Sequence, residues 1–189
     1  MRNLFVKTQP VAEPVTAEEI KLHSRIDVND DDTLITLMAS AARQASELYT
    51  GRAYITQTLV LTCPCNTAGE IWLPRPPFTS VTGVKVLGDD LTWTALTVTT
   101  DYKVVTIGDR GLVVILSPDT TSTYEVTYTA GYGAAASSVP AALRQAVLQR
   151  AAALYEHRGD GLEAGLKDVP ETAKQLENQY RILTVGAGA

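Results

Sequence analysis

Hydrophobic and polar residues alternate with two different periods along this chain. Between residues 16 and 50 apolar positions recur every three or four residues, which predicts helices over 16–24 and 32–50. From 54 to 130 the period falls to two, and helical spacing returns over 139–157 and near the C-terminus. The order predicts an α+β fold, a mostly α-helical bundle of N- and C-terminal helices packed with a central antiparallel β unit.

Residues at the helix ends support the first two boundaries. Thr16 and Glu19 have the spacing of a capping box, and three aspartates at 30–32 suit the positive end of the second helix. Gly51 is a typical residue just past a helix end. The apolar positions of the second helix are spaced three and four apart, as a helix predicts: Leu34, Leu37, Met38, Ala41, Ala45, Leu48 and Tyr49.

Seven strands are predicted in the central region, each rich in Thr and Val. Turn residues separate them, and the Gly108 to Gly111 stretch is the clearest hairpin signal. In the last strand Tyr124, Val126 and Tyr128 share one face. The predicted strands are 55–62, 70–73, 80–87, 92–99, 102–107, 111–116 and 122–129.

The third predicted helix, 139–157, is apolar or small on almost every side. Ser138 is its expected N-cap, and Pro140 is tolerated in a first turn. A helix of this kind needs neighbours on two sides. The pattern is compatible with the centre of a larger fold and with an interface between copies of the chain.

A last helix is predicted after a Gly-containing linker that begins at 161. Residues 168–171 have a capping pattern, and a narrow apolar stripe follows, made of Val169, Ala173, Leu176, Tyr180 and Leu183. Such a stripe either packs on the domain or binds a groove on a partner. We therefore predict a domain over 1–160 and a linker with a helical arm over 161–189.

Composition narrows the function classes. The 189 residues are 45% hydrophobic and carry a net charge of −5, which fits a globular domain and argues against a surface that grips nucleic-acid phosphates. The N-terminus lacks the apolar region of a signal peptide, and no run of 18 apolar residues occurs. We expect no membrane partner.

The sequence offers little chemistry. Residues 27–38 begin like a calcium-binding loop, but Asp32 and Met38 stand where that loop needs Gly and Glu. The cysteines and histidines lack zinc-site spacing: Cys63, Cys65, His23 and His157. Nucleophile-elbow and phosphate-loop motifs are missing from the sequence. We expect no catalytic, cofactor-binding or metal site and no enzymatic activity.

Three stretches in the right order resemble one family. The first, 14–58, opens with Pro-Val-Thr and ends its long helix in Tyr-Thr-Gly-Arg. The second is LPRPPFTSVTGVKV at 73–86. The third, 128–160, contains YTAGYG and VPAALRQAVLQRAAALYEHRGD. Together they resemble the head-tail connector, or adaptor, proteins of long-tailed bacteriophages and prophages.

The resemblance implies a structural virion protein at the head-tail junction, assembled in the host cytoplasm. Such proteins form a ring, usually of twelve copies, that docks under the portal and extends the DNA channel towards a downstream head-completion or tail protein. DNA would pass through without specific binding, and the free chain could be monomeric. Another phage DNA-packaging or tail-completion assembly factor is the alternative.

The resemblance also suggests which residues make contacts. The family's C-terminal segment engages the portal, which here corresponds to 171–185, with the apolar anchors Leu176, Tyr180, Ile182, Leu183 and Val185. We expect the ring interface on the second and third helices, including Arg144, Gln145, Leu148, Gln149 and Ala152.

Overall fold

The structure, a computed structural model, describes residues 2–157 and 170–182. It is α+β, as predicted, but its strands contain about as many residues as its helices, so "mostly α-helical" is too strong. The chain divides into two compact units. The β unit consists of Met1–Pro10 and Thr56–Tyr132, and the helical unit of Val11–Ile55 and Gly133–Ala189.

The helical unit contains four described helices: α1 (Ala17–Ser24), α2 (Asp32–Thr50), α3 (Ala141–Glu156) and α4 (Glu171–Asn178). Helix α3 contacts all three of the others. Leu143, Val147 and Ala151 are fully buried along it. The apolar character of α3 on several sides is therefore explained by neighbours within its own chain.

The predicted capping box begins α1. The Glu19 backbone N–H donates to the Thr16 hydroxyl over 3.2 Å, and the Thr16 N–H donates to the Glu19 carboxylate over 2.8 Å. Both donors would otherwise lack partners at the helix start. Gly51 ends α2 in the left-handed region, at φ 73°, as predicted.

The apolar stripe of α2 is not its buried face. Its buried residues are Ile35, Ala39, Ala42, Arg43, Ser46, Glu47 and Thr50, whereas Leu37, Ala41, Ala45 and Leu48 are exposed. Isolated charges such as Arg43 and Glu47 would be expected to face solvent. Paired with each other and with further partners, these two charges are buried instead.

The last two helices also start later than predicted. Ser138 ends a 3₁₀ turn and is not an N-cap, because Val139 is held extended by the following proline, which occupies the cap position itself. Helix α4 starts after Pro170 and ends at Asn178. Tyr180 is therefore not helical, and the inward positions of α4 are Ala173 and Glu177.

The β unit contains eight strands in two antiparallel sheets. The five-stranded sheet has the order β1-β2-β8-β4-β5, and the three-stranded sheet has the order β3-β7-β6. Seven strands match the predicted ones within a few residues, and β1 was missed. Their bounds are β1 (Asn3–Thr8), β2 (Gln57–Cys63), β3 (Glu70–Trp72), β4 (Phe78–Leu87), β5 (Trp93–Leu96), β6 (Tyr102–Ile107), β7 (Arg110–Ile115) and β8 (Tyr124–Ala130).

Strand β8 is the centre of the larger sheet, paired with β2 on one side and β4 on the other. Its alternation is as predicted, with Tyr124, Val126 and Tyr128 buried. The buried Tyr128 hydroxyl donates to the Pro74 carbonyl over 2.8 Å. Strict alternation fixes the register, because a slip of one residue would expose all of these side chains.

The predicted hairpin joins β6 and β7. Its two-residue turn has Gly108 at φ 62° and a negative φ at the next residue, the geometry of a type II′ turn. Gly111 follows where a side chain would not fit, since a Cβ there would lie 2.6 Å from the Phe78 ring and 2.9 Å from Leu73. Close contact at Gly111 thus packs the start of β7 against these two residues.

The capping box of α1 can be tested by Thr16→Ala. This change removes the hydroxyl that accepts from Glu19, and we expect the free energy of unfolding to fall by about 1 kcal/mol. Chemical denaturation measures the change. Thr36→Ala is the matched control, because the Thr36 hydroxyl bonds the Asp32 carbonyl inside a helix and caps nothing. Equal losses for the two variants would contradict a role for the cap.

Candidate assembly interface

A buried ion cluster lies on the inner face of α2. The Arg43 guanidinium bonds the Glu13 carboxylate over 2.7 Å and the Glu47 carboxylate over 2.9 Å. The other Glu47 oxygen accepts from the Tyr54 backbone N–H over 2.7 Å. Helix α2 is thereby tied to the chain before α1 and to the chain that follows its own end.

A second ion pair holds α4. Arg150 of α3 binds Glu177 of α4 through two nitrogens, with Nε at 2.7 Å from one carboxylate oxygen and Nη2 on the other. Glu177 is fully buried. Bidentate Arg–carboxylate pairs fix geometry as well as charge. This pair sets how α4 lies on α3, because only Ala173 and Glu177 of the helix are buried.

Two hydroxyl groups connect the two ion pairs. The Ser46 hydroxyl bonds both the Glu177 carboxylate and the Tyr54 hydroxyl, the latter over 2.9 Å. Burial raises the pKa of Tyr54 well above its usual value, and the Glu177 and Glu47 carboxylates add to the effect. The phenol therefore keeps its proton and its hydrogen bonds at any physiological pH.

The described part of the predicted portal-binding arm packs within the helical unit. Leu176 and Tyr180 are half-exposed, and the Ile182 N–H donates to the Thr50 carbonyl over 2.9 Å. Arg52 donates to the Tyr180 carbonyl as well. Leu183 and Val185 lie outside the described residues. The chain is thus tied to the end of α2 up to residue 182.

Three of the predicted ring-interface residues line one groove between α1 and α3: Arg144, Gln145 and Leu148. The groove has a volume of about 430 Å³. Arg144 crosses it, donating to the Pro14 carbonyl over 2.8 Å and pairing with Glu19. Leu22 of α1 stands at its border with 83% of its surface exposed. The groove is therefore mainly apolar, and the polar contacts of Arg144 cross it.

The other two predicted interface residues lie elsewhere. Gln149 accepts a hydrogen bond of 2.9 Å from the Thr172 hydroxyl of α4. Ala152 is buried and is not available at the surface. Of the five predicted interface residues, three therefore line one groove, one supports α4 and one belongs to the core.

An apolar ridge on α2 is exposed at the surface. Leu37 and Leu48 are 66% and 74% exposed, and Ala41 and Ala45 lie between them on the same side. We call these four residues the α2 ridge. The sequence showed these positions as apolar, and the second helix was expected at the ring interface without naming its residues.

Catalytic or metal chemistry finds no support within residues 2–157 and 170–182. No group of three potential metal ligands occurs among them. Cys63 and Cys65 are free and buried, and burial raises the pKa of the Cys63 thiol, which keeps it protonated. None of the helices in these ranges is long and apolar enough to cross a membrane.

With the fold in place, the chain can be compared with known proteins. The model of the head completion protein family matches residues 13–151, which covers most of both units. The chain belongs to the head completion protein family. This confirms the resemblance to head-tail connectors drawn from the sequence. A comparison with the curated proteins found no match.

Several solved structures resemble this head completion protein over its whole length. A chain of the virion of a native gene transfer agent (GTA) particle is 26% identical, with a TM-score of 0.80 and 98% of each chain covered. A chain of the neck of a native GTA particle, computed with C12 symmetry, is 26% identical with a TM-score of 0.74, over 100% of this chain and 98% of that one. The neck of an empty GTA particle, computed with C6 symmetry, contains a chain of the same fold at 24% identity and a TM-score of 0.80, with 98% of each chain covered.

The Arg150–Glu177 pair of this head completion protein can be tested by Glu177→Ala. The change leaves a buried guanidinium without its carboxylate, and we expect a loss of about 3–5 kcal/mol in unfolding free energy. Glu171→Ala is the control on the same helix, because Glu171 is exposed and 3.9 Å from Lys174. Its expected effect is below about 0.5 kcal/mol. Similar denaturation curves for the two variants would show that the buried pair does not hold α4.

Proposed function

We propose that this chain is a structural protein of the neck of a phage-like particle, where it forms a ring at the head-tail junction. The observation that carries the proposal is the whole-length similarity to a chain of a GTA neck computed with C12 symmetry. Family membership supports the same role. A structural role also fits the residues 2–157 and 170–182, in which charged groups are used to hold helices together.

In this role the ring docks under the portal and continues the DNA channel towards the next head-completion or tail protein. A net charge of −5 suits a conduit through which DNA slides, because acidic surfaces do not hold phosphates. Twelve copies are the expected number by analogy with the C12 neck. Electron microscopy of the chain mixed with the portal protein of its own phage tests the ring directly, and a portal without added density would contradict it.

The helical unit supplies two surfaces that suit a ring seam. A ring closes through a heterologous interface, in which two different patches of the same chain meet. The α2 ridge is convex and apolar, and the groove between α1 and α3 is concave and partly apolar. We place the ridge of one copy in the groove of the next, with Gln145 and Arg144 at the polar border.

The seam can be tested by Leu37→Glu on the α2 ridge. A carboxylate at this position would be buried without a partner in the ring, so we expect assembly on the portal to weaken by about tenfold or more. Because Leu37 is exposed in the free chain, thermal unfolding should stay unchanged. Quantitative negative-stain electron microscopy or sedimentation measures assembly.

Val11→Glu is the matched control for this variant. Val11 is 92% exposed, lies in the same unit, and belongs to neither the ridge nor the groove. It should assemble like the wild type. A Leu37→Glu chain that forms rings as readily as Val11→Glu would remove α2 from the seam.

Portal binding by the C-terminal arm is best tested by a deletion shorter than residues 171–189. Deleting 171–189 also removes Glu177 and strands Arg150 in the core, so a loss of binding would be ambiguous. Deleting 183–189 keeps the described contacts of Ile182 and α4. We expect this variant to unfold like the wild type and to lose portal binding by about tenfold, as removal of the anchors Leu183 and Val185 predicts.

Binding can be measured by biolayer interferometry on immobilised portal. Thr184→Ser in the full-length chain is the control, because it keeps the length and both anchors. Unchanged affinity after deletion of 183–189 would exclude these residues as the portal contact. Leu176 and Tyr180, half-exposed on the folded part, would then be the residues to substitute next.

A further inference from the structure

The outer edges of the two sheets in the β unit are not equally protected. Strand β1 has a register shift between Val6 and Thr8 and carries Lys7, and β3 has only three residues. Strand β6 runs for six residues in unbroken register with β7. Proteins usually protect such edges with bulges, charges or short strands, because the open backbone pairs readily with another strand.

The free backbone groups of β6 follow from its turn. A two-residue turn closes on Ile107 and Arg110 as a hydrogen-bonded pair, and bonding alternates from there along the antiparallel ladder. Val104 and Thr106 therefore direct their N–H and C=O groups to the outer edge. Tyr102 lies two residues before Val104, so its carbonyl also points to the outer edge. It accepts from the Thr99 N–H over 2.8 Å there, which agrees with the outward direction of Val104 and Thr106.

Strand β5 has a matching edge at the end of the other sheet. The Leu87 N–H donates to the Thr123 carbonyl, so Leu87 is turned towards β8 and away from its β5 partner Trp93. Alternation then directs the N–H and C=O groups of Trp93 and Ala95 outwards. Each of the two edges thus offers two residues, two positions apart, with free backbone groups.

Side chains around the two edges are complementary. Val104, Val105 and Ile107 are exposed on both faces of β6. Around β5, Leu91 and Trp93 are exposed, and Leu91 has a left-handed backbone with φ 62° at the tip of its turn. Both edges therefore carry apolar surface that a partner strand would cover.

Charge distinguishes the two edges. The β6–β7 hairpin carries Lys103 and Arg110 against Asp109, a net positive charge. The turn before β5 carries Asp89 and Asp90. Opposite charges on two different patches of one chain favour contact between unlike edges of neighbouring copies over contact between like edges.

We propose that β6 of one copy pairs with β5 of the adjacent copy by strand addition, joining the three-stranded sheet of one to the five-stranded sheet of the next. The contact is heterologous, as a closed ring requires, and it uses backbone hydrogen bonds in addition to the helical seam. The inference rests on the proposed ring function. The ring function alone does not say what binds the edge of β6, and this inference names a second copy of the chain as its partner.

A cysteine pair tests the contact in assembled rings. The variant Ala95→Cys/Thr106→Cys is assembled on the portal, oxidised gently, and separated by denaturing electrophoresis without reductant. Dimers and longer covalent ladders are expected, since both positions lie on the paired edges. Each single variant controls for the buried Cys63 and Cys65, and Thr8→Cys/Thr106→Cys is the matched pair, because it moves one cysteine to the β1 edge.

Proline substitution tests the same contact without cysteines. Val104→Pro removes an outward N–H and leaves the β6–β7 ladder intact, so we expect normal thermal unfolding and about tenfold weaker ring assembly. Val105→Pro removes an N–H that bonds β7, and it should lower the unfolding temperature instead. This pair separates loss of the edge from damage to the fold.

The outcomes separate the strand contact from the ring itself. Wild-type rings with a ladder specific to the 95/106 pair support the contact. Rings that form normally with Val104→Pro and give no ladder overturn the strand contact and leave the ring function standing. If the wild-type chain forms no ring on its portal, the proposed function fails and this contact fails with it.

Discussion

The helical unit depends on charges that are buried in pairs. Arg43 with Glu47 and Arg150 with Glu177 lie in the interior, and Ser46 and Tyr54 connect the two pairs. Ion pairs of this kind give little net stability compared with apolar packing, but they penalise any arrangement in which one partner is missing. The orientation of α2, the position of α4 and the path after Thr50 are all consistent with that penalty.

The orientation of α2 has a direct consequence for the surface. Charged and small residues occupy much of the inner face of α2, and Leu37 and Leu48 are therefore exposed to solvent. Contiguous exposed apolar surface on a soluble protein commonly marks a site of interaction with another molecule. The rotation of α2 about its axis therefore places the charged residues inside and the leucines outside. The α2 ridge is left available to a neighbouring molecule.

Much of the fold could be predicted from the sequence. Alternation and turn residues identified seven strands, including β5 and β6, which are mostly exposed, and local chemistry identified the capping box at Thr16 and the stop at Gly51. The rotation of α2 could not be predicted, because pairing between Arg43 and Glu13 joins residues that are distant in sequence. Arg144, Gln145 and Leu148 line one groove because of their spacing on α3, whereas the burial of Ala152 could not be predicted because a small residue gives no sign of its depth.

The two units are interleaved along the chain. The helical unit ends its first part at Ile55 and resumes at Gly133, and these two residues form an isolated parallel bridge. The points where the chain departs and returns are thus side by side, so residues 56–132 are an insertion in the helical unit, whereas β1 precedes the helical unit in the chain and also belongs to the β unit. Lengthening or replacing hairpins within such an insertion costs little loop entropy in the rest of the protein. Natural variation can therefore remodel the sheets of this chain for a new neighbour while the ion-paired helices stay as they are.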